Sequence, residues 1–337
     1  MTDHRAWVRA TLAHQQQDAV PYNFSVTPPA QRKLEAYYNT DDFEETLEFP
    51  IRMTGPKTVK PLYADPARFG ETLTDEFGVV WTTSTEDRGV PVGPCLTEPD
   101  LSRYTFPDPT LDYRFEDLGA WCLKNRDHYT IIWVGDLWER ATFMRGMENL
   151  LIDVALRPAF VEALLKGIAQ YIIETMTVLF ERFGFDGIAV SDDYGTQSAL
   201  MMSPQSWRRL IKPRLADIYG FAKAHGRCVF HHTCGHVHPI AGDMIEVGLD
   251  ILHPIQPEAN DIYALKREFG RDVTLCGGIS TQKVMPRGTP DEIRSEIRRL
   301  KRVMGKDGGY ILEPGITLQS DVPIENLVAM VEEMRAS

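Results

Sequence analysis

Residues 228–238 read CVFHHTCGHVH, an apolar run that ends in a cluster of histidines and cysteines. Such a run is typical of a buried β-strand. Successive side chains of a strand point to opposite faces, so His232 and Cys234 share one face and His231 takes the other. We therefore expect His232 and Cys234 to converge on one point, and His231 to face a layer of helices.

The same pattern recurs along the chain. The other runs predicted as strands are YTIIWVGD, GIAVSDD, DILHPIQ, DVTLCGGI and GYILEPG, with weaker candidates at residues 20–24 and 47–53. Near-continuous apolar strands that alternate with helices are typical of a parallel sheet covered on both faces. Eight such units predict an α/β fold, a single (β/α)8 or TIM barrel over residues 1–337, with a cap helix at residues 3–16.

A doubly wound open sheet is the structural alternative. It is disfavoured because no glycine-rich phosphate loop of the G-x-G-x-x-G type follows an early strand. Residues 54–112 lack the alternation of strands and helices, are rich in proline, and contain a hairpin pattern in TLTDEFGVVWTT. Long irregular connections inside compact domains are usually functional, so we predict an insertion over the barrel mouth.

Composition limits the classes of function. The net charge is -12, and no run of lysine and arginine could follow a nucleic-acid backbone, so we expect a small-molecule substrate and no nucleic acid. Five cysteines, an odd number in a long chain, do not suggest a disulfide framework. The sequence has neither a signal-peptide pattern nor a transmembrane-length apolar stretch. We therefore expect a cytoplasmic protein without a membrane segment.

In a barrel of this type, chemistry belongs at the carboxyl ends of the strands. Zinc favours thiolate, imidazole and carboxylate ligands, and we predict His232, Cys234 and Cys276 as the metal set, with Glu313 as the other candidate for the third ligand. The alternative is that His232 and Cys234 form a buried strand end whose imidazole is satisfied by a neighbouring carboxylate.

Further polar residues follow the same strand ends. Because Asp192 and Asp193 are adjacent and point to opposite faces, we expect only Asp192 to reach the mouth. Asp192, Tyr194 and Glu313 are the predicted proton-handling residues. The predicted substrate-binding residues are Asn23, Asp136, Trp138, His253 and Gln256.

Several segments together resemble the uroporphyrinogen decarboxylase (URO-D) superfamily. They include residues 229–257 around FHHTCGHVH, LCGGISTQ at residues 275–282, and GGYILEPGITLQSDVPIENLVAM at residues 308–330. The resemblance implies an eight-stranded barrel with a deep pocket at its mouth. True uroporphyrinogen decarboxylases carry an arginine-rich segment after the first strand, whereas PYNFSVTPPAQRK here has only Arg32. A substrate with many carboxylates would find no bidentate clamp there.

The resemblance is nearer to the cobalamin-dependent methyltransferase branch, in which a His-x-Cys pair and a later cysteine hold zinc. His232 and Cys234 match the pair, but Ile316 stands at the later cysteine position. Either Cys276 or Glu313 replaces that ligand, or no metal binds. A set with fewer thiolates leaves a harder zinc ion, which suits activation of an oxygen.

We therefore expect a methyltransferase that demethylates an O-methyl substrate and passes the methyl group to a corrinoid on a separate protein. The first alternative is a metal-independent decarboxylase of a small carboxylic acid, in which Asp192, Tyr194 and His232 handle protons. The second alternative is a barrel that binds a small ligand and has no catalytic activity.

Overall fold

The computed structural model describes residues 3–336. Its strands are β1 (Ile51–Thr54), β2 (Thr72–Thr74), β3 (Val80–Thr82), β4 (Pro91–Gly93), β5 (Tyr129–Asp136), β6 (Gly187–Ser191), β7 (Cys228–His232), β8 (Ile251–Ile255), β9 (Thr274–Ile279) and β10 (Tyr310–Pro314). Its first helices are α1 (His4–Leu12), α2 (Pro28–Tyr38), α3 (Phe43–Thr46), α4 (Pro66–Phe69), α5 (Leu118–Lys124), α6 (Trp138–Arg145), α7 (Met147–Leu156) and α8 (Pro158–Arg182). The remaining helices are α9 (Pro204–Leu210), α10 (Lys212–Ala224), α11 (His238–Glu246), α12 (Ile262–Phe269), α13 (Val284–Arg287), α14 (Pro290–Met304) and α15 (Ile324–Arg335).

A curled parallel sheet forms the centre of the molecule, in the order β1-β5-β6-β7-β8-β9-β10. The predicted first strand, residues 20–24, joins it more weakly: Tyr22 forms a parallel bridge to Leu312 of β10. Pro21 has no N–H with which to extend the ladder, which is why this segment is not a full strand. With it, the fold is the predicted α/β barrel.

The barrel has two apolar layers, one on each face of the sheet. The inner layer takes side chains from every sheet strand, two of them from β5, together with Val8 of α1 at the amino-terminal end: Ile51, Tyr129, Ile131, Ala189, Phe230, Ile251, Cys276 and Ile311. The outer layer packs the alternate side chains, such as Ile188, Val229 and Leu252, against the helices. Successive side chains of each strand therefore point in turn to the inner and to the outer layer, and this decides which polar residues reach the mouth.

Helix α8 is long and apolar enough to span a membrane by length and composition, but half of its most apolar window is buried in the protein. It packs against α7, α10 and β5. Its buried side chains include Leu164, Ile168, Ile172 and Leu179. The helix is therefore a core helix of the barrel.

The insertion between β1 and β5 contains a small antiparallel sheet in the order β2-β3-β4. The β2–β3 pair confirms the predicted hairpin in residues 72–83. Buried Asp75 organises this sheet: its carboxylate accepts hydrogen bonds from the backbone N–H groups of Phe77 and Val79 and from Nε1 of Trp81. It also pairs with Arg140 of α6 at 2.7 Å, which fixes the insertion beside the mouth of the barrel.

Candidate active site

A cavity of about 480 Å³ opens at the carboxyl ends of the sheet strands. Its walls are mainly apolar and aromatic, and include Phe24, Phe43, Met53, Leu62, Trp133, Phe230 and Ile316. His232, His253, Glu313, Ser191 and Asn23 supply polar groups. Among the described residues that line the cavity, Arg88 of the insertion is the only lysine or arginine. We call this space the mouth cavity.

A larger cavity, about 560 Å³, opens at the opposite end of the barrel, where Arg5, Arg9 and Lys223 lie. Arg5 and Arg9 pair with Asp186, and Lys223 pairs with Asp250. The first two ion pairs join the cap helix α1 to the start of β6, and the third joins α10 to the start of β8. Because the amino-terminal face of such barrels serves stability, we place the chemistry at the mouth cavity instead.

Asp193, His232 and Cys234 form one group of potential metal ligands, with their ligand atoms within 4.8 Å of one another. His232 Nε2 lies 3.4 Å from Cys234 Sγ and 3.7 Å from Asp193 Oδ1. The convergence of His232 and Cys234 follows the strand alternation expected from the sequence. Asp193 also accepts a hydrogen bond from the backbone N–H of Cys234 at 2.8 Å, which joins the loops after β6 and β7.

This donor set suits zinc. Burial lowers the pKa of His232 well below its ordinary value, so the imidazole is neutral and keeps a lone pair for a metal. Burial, followed by the charge of Asp193, raises the pKa of the Cys234 thiol, and a divalent cation would reverse this by stabilising the thiolate. One imidazole, one thiolate and one carboxylate leave a fourth zinc position for another ligand.

His253, Cys276 and Glu313 form a second, separate group of potential ligands, and all three are buried. Cys276 Sγ lies 3.1 Å from Glu313 Oε2, and His253 Nε2 lies 3.6 Å from Glu313 Oε1. The predicted metal set is corrected here, because Cys276 is not grouped with His232 and Cys234. Strand β8 lies between β7 and β9, and its His253 occupies the intervening position.

The prediction that Asp192 rather than Asp193 reaches the mouth is wrong. Asp192 is fully buried, and its Oδ1 accepts hydrogen bonds from the backbone N–H groups of Leu137 and Glu139. Its Oδ2 accepts a hydrogen bond from the Tyr194 hydroxyl at 2.6 Å. Tyr194 packs in the outer apolar layer. Both residues therefore stabilise the start of α6 and lie away from the mouth cavity.

Two predicted substrate-binding residues are also occupied elsewhere. Trp138 is completely buried in the outer apolar layer, because it begins α6 on the side that faces the other helices. Gln256 is buried, and its Oε1 accepts a hydrogen bond from the backbone N–H of Gly235 at 2.6 Å, which supports the loop after β7. Asn23 and His253 do line the mouth cavity.

A β-bulge in β5 sets the position of Asp136. The register passes from Trp133 opposite Ala189 to Gly135 opposite Val190, so Val134 is an extra residue. The bulge places Asp136 opposite Ser191, but its carboxylate lies 3.5 Å from Arg140, beside a smaller cavity of about 140 Å³. It is not among the residues that line the mouth cavity.

Glu139 is a site residue that the sequence analysis missed. Ser191, which lines the mouth cavity, donates a hydrogen bond from its hydroxyl to Glu139 Oε2 at 3.0 Å. Burial, followed by the charges of Asp193, Asp136 and Asp192, raises the pKa of Glu139 to about 9, so the carboxyl holds a proton at neutral pH. The sequence could have indicated this residue, because Glu139 lies in the first helical turn after a strand that ends in Asp136.

The loops that carry Cys234 and Asp193 cross at two glycines. A Cβ on Gly195 would lie 2.4 Å from the backbone nitrogen of His236, and one on Gly235 would lie 2.2 Å from the Gly195 oxygen. Gly235 also has a φ of +84°, in the region that favours glycine. The close crossing holds the two metal-ligand loops together.

Comparisons with family models and with solved structures find proteins that are similar to this chain. The family model for uroporphyrinogen decarboxylase (URO-D) matches residues 96–337. A solved methyltransferase from Methanosarcina mazei is similar in fold, with a TM-score of 0.73 and 19% identity, covering 98% of each chain. An endo-β-1,4-xylanase from Gloeophyllum trabeum gives a TM-score of 0.41 at 12% identity, covering 72% of this chain and 84% of the other. A comparison with curated proteins finds no match.

Proposed function

Because the chain belongs to the uroporphyrinogen decarboxylase (URO-D) family, we propose that it is a methyltransferase that demethylates a small O-methylated compound at the mouth cavity. The observation that carries this proposal is the donor set of Asp193, His232 and Cys234 beside an apolar cavity. A similar fold in a methyltransferase from Methanosarcina mazei is compatible with it.

The lining of the cavity supports a small aromatic substrate with one acidic group. Trp133, Phe230 and Phe24 offer apolar surface to a ring, and Arg88 offers one cation. Arg88 makes no ion pair within the part of the chain that the structure describes, so its guanidinium is free to bind a carboxylate. A tetrapyrrole with many carboxylates needs many such cations, which argues against porphyrin decarboxylation.

We propose that Asp193, His232 and Cys234 hold a zinc ion. When bound, zinc supplies Lewis acidity toward an ether oxygen of the substrate. The set contains one thiolate, and Asp193 takes the place of a further sulfur ligand. A carboxylate in that position makes the donor set harder, which favours an oxygen partner over a thiol.

The protein groups around the cavity would prepare the transfer. Arg88 would bind the substrate carboxylate, and Trp133 with Phe230 would hold the ring in place and exclude water. Glu139 holds a proton next to the Ser191 hydroxyl, which reaches the cavity wall. For the transfer, the Ser191 hydroxyl would turn its hydrogen from Glu139 to the leaving oxygen and would take the Glu139 proton in exchange, which leaves Glu139 as a carboxylate; the protonated oxygen is a better leaving group than its anion.

The methyl acceptor that we propose is a reduced corrinoid carried by a separate protein. The bond between the methyl carbon and the ether oxygen would break with its electron pair staying on the oxygen, and the electron pair of the new bond to carbon would be supplied by the reduced corrinoid. The oxygen then takes the proton. No other oxidant or reductant is required for this transfer.

The test combines metal analysis with an assay of methyl transfer from aromatic methyl ethers to free reduced cobalamin. We expect about one zinc per chain in the wild-type protein, and we expect activity to fall at least about 100-fold in His232→Ala and in Asp193→Asn, because each variant removes a ligand of the proposed site. Cys122→Ser is the matched control, because Cys122 lies at the other end of the barrel. Carbon dioxide release from a carboxylic acid, without cobalamin and insensitive to a chelator, would overturn the proposal.

A further inference from the structure

The group of His253, Cys276 and Glu313 has no role in the proposed reaction, although it is built from buried polar groups. His253 and Glu313 are each 8% exposed, and Cys276 is fully buried. Within residues 3–336, the ion-pair partner of Glu313 is His253 alone. A buried carboxylate without a lysine or arginine is costly unless another cation neutralises it. We call this group the inner set, and Asp193, His232 and Cys234 the outer set.

The inner set has the chemistry of a zinc or cobalt site. It offers one imidazole nitrogen, one sulfur and one carboxylate oxygen, whose ligand atoms lie within 4.8 Å of one another. The three residues come from three adjacent strands, β8, β9 and β10, rather than from loops. Ligands on rigid neighbouring strands hold their positions without reorganisation, which favours a metal over solvent in that space.

The two sets are joined by one hydrogen bond. His232 Nδ1 lies 3.0 Å from His253 Nδ1, while Nε2 of His232 faces the outer set and Nε2 of His253 faces Glu313. A hydrogen bond between two ring nitrogens contains one proton, so one ring donates from Nδ1 and the other accepts. Two neutral rings in this arrangement have opposite tautomers.

Metal binding selects the tautomer. A neutral histidine that binds a metal through Nε2 carries its proton on Nδ1. If His232 binds a metal, it donates to His253, which must then carry its own proton on Nε2 and cannot be a ligand there. If His253 binds a metal, the same argument removes His232. Two occupied sets would force two protons between the Nδ1 atoms.

We propose that His253, Cys276 and Glu313 form a second binding position for a zinc-like divalent cation, and that this position and the outer set exclude each other. One chain therefore holds one cation, in either place. The second position stands on the geometry of the inner set, whereas the exclusion also rests on the proposed function, which assigns the outer set to zinc. The proton that His232 and His253 share couples metal binding at the outer set to metal binding at the inner set.

The test is a titration of the metal-free full-length protein with cobalt(II), followed by equilibrium dialysis and by the thiolate-to-cobalt charge-transfer absorption. We expect one cobalt per chain in the wild-type protein. Cys234→Ser should still bind one cobalt with a thiolate band, which then comes from Cys276. Cys276→Ser should also bind one, with a band from Cys234. The double variant should lose the band and bind cobalt at least about 10-fold more weakly.

Each other outcome has a defined meaning. Two cobalt ions per wild-type chain would overturn the exclusion. Loss of the thiolate band in Cys234→Ser would overturn the inner position. Loss of cobalt in Cys276→Ser, with full binding in Cys234→Ser, would overturn the outer set and with it the proposed function, while the inner position would stand. Cys276→Ala provides a second variant should the serine disturb folding, and Cys122→Ser is the unaffected control.

Discussion

At the residue scale, Asp192 is a structural acid. Its carboxylate accepts two backbone N–H groups at the start of α6 and the Tyr194 hydroxyl, all in a fully buried position. We expect Asp192→Ala to lower the free energy of unfolding by about 2–4 kcal/mol, because it leaves these donors without an acceptor. Urea unfolding of the variant measures this.

The milder variant Asp192→Asn keeps one oxygen acceptor and should cost less than Asp192→Ala. If Asp192→Ala abolished catalysis while the free energy of unfolding stayed at the wild-type value, Asp192 would be a catalytic residue as the sequence pattern suggested. A small loss of stability together with near-normal activity in Asp192→Asn would support the structural role.

Glu139 should make stability depend on pH. Burial and its acidic neighbours raise its pKa from the ordinary 4.5 to about 9. Between these values the folded protein keeps a proton that the unfolded chain releases, so stability is full below about pH 4.5 and falls as pH rises toward 9. The slope for one proton is at most about 1.4 kcal/mol per pH unit.

The measurement is the free energy of unfolding of metal-free protein between pH 6 and 8, a window of about two units in which one retained proton is worth about 3 kcal/mol at most. Glu139→Gln should flatten the curve relative to the wild type. Asp192, whose pKa burial raises to about 8, should leave a residual fall of the same sign in both proteins. Parallel curves for the two proteins would show that Glu139 is ionised when the protein is folded.

The residue scale also shows where sequence reasoning reached its limit. Alternation correctly separated His231, which hydrogen-bonds Tyr219 of α10 at 2.7 Å, from His232 in the mouth cavity. It failed for Asp192 and Asp193, because β6 is apolar on both faces, and its sequence therefore does not show which residues face the barrel interior. The small residue Ala189 in the inner layer was the available clue.

At the scale of elements, the crossing of the loops after β6 and β7 should control metal binding. A Cβ on Gly195 would meet backbone atoms of Gly235 and His236, which cannot move as a flexible side chain does. We expect Gly195→Ala to separate the loops that carry Asp193 and Cys234 and, in a Cys276→Ser background that disables the inner set, to weaken zinc binding by about 10- to 100-fold. Competition with a chromogenic chelator measures the affinity.

Gly220→Ala is the matched control for this substitution. Gly220 is on α10, and its added Cβ would have no heavy atom within 4 Å. An alanine there should leave zinc affinity unchanged and raise helix stability by up to about 1 kcal/mol. Equal zinc affinity in Gly195→Ala and Gly220→Ala would mean that the glycine crossing does not position the ligands.

The individual strands and helices were more predictable than the contacts between segments that are distant in sequence. The strands from β5 to β10 and the caps of later helices follow from local patterns, as in α9, where Ser203 accepts a hydrogen bond from the Ser206 N–H and Pro204 opens the helix. The first predicted strand was overestimated because its pairing depends on Leu312, far away in sequence. The sequence also gave no reason to expect Arg88 at the mouth cavity, since its place there depends on how the insertion folds.

At the scale of the whole molecule, the insertion and the barrel should unfold together. Asp75 binds Arg140 of α6, and Arg145 of the same helix donates hydrogen bonds to the backbone oxygens of Leu96 and Thr97 in the insertion. We expect one thermal transition in differential scanning calorimetry of the wild-type protein. Asp75→Ala should lose about 2–4 kcal/mol of stability, because it leaves buried donors without an acceptor and Arg140 with the more distant Asp136 as its ion-pair partner.

We also expect Asp75→Ala to make residues 55–111 cleavable by limited proteolysis before the barrel unfolds. Asp65→Ala is the control within the same insertion, because Asp65 is an exposed cap whose carboxylate accepts a hydrogen bond from the Ala67 N–H. Two transitions in the wild-type protein would mean that the insertion is an independent unit.

The bulge in β5 makes the length of this strand part of the active-site chemistry. Val134 is the extra residue, and Asp136 lies opposite Ser191. Deleting Val134 would remove the bulge and restore a regular ladder in which Asp136 still lies opposite Ser191, whereas one further residue that no bulge absorbs would put Gly135 there and exchange the two faces of the strand end. Insertions in this strand, more than substitutions, would therefore mark relatives in which the carboxylate beside Arg140 has moved.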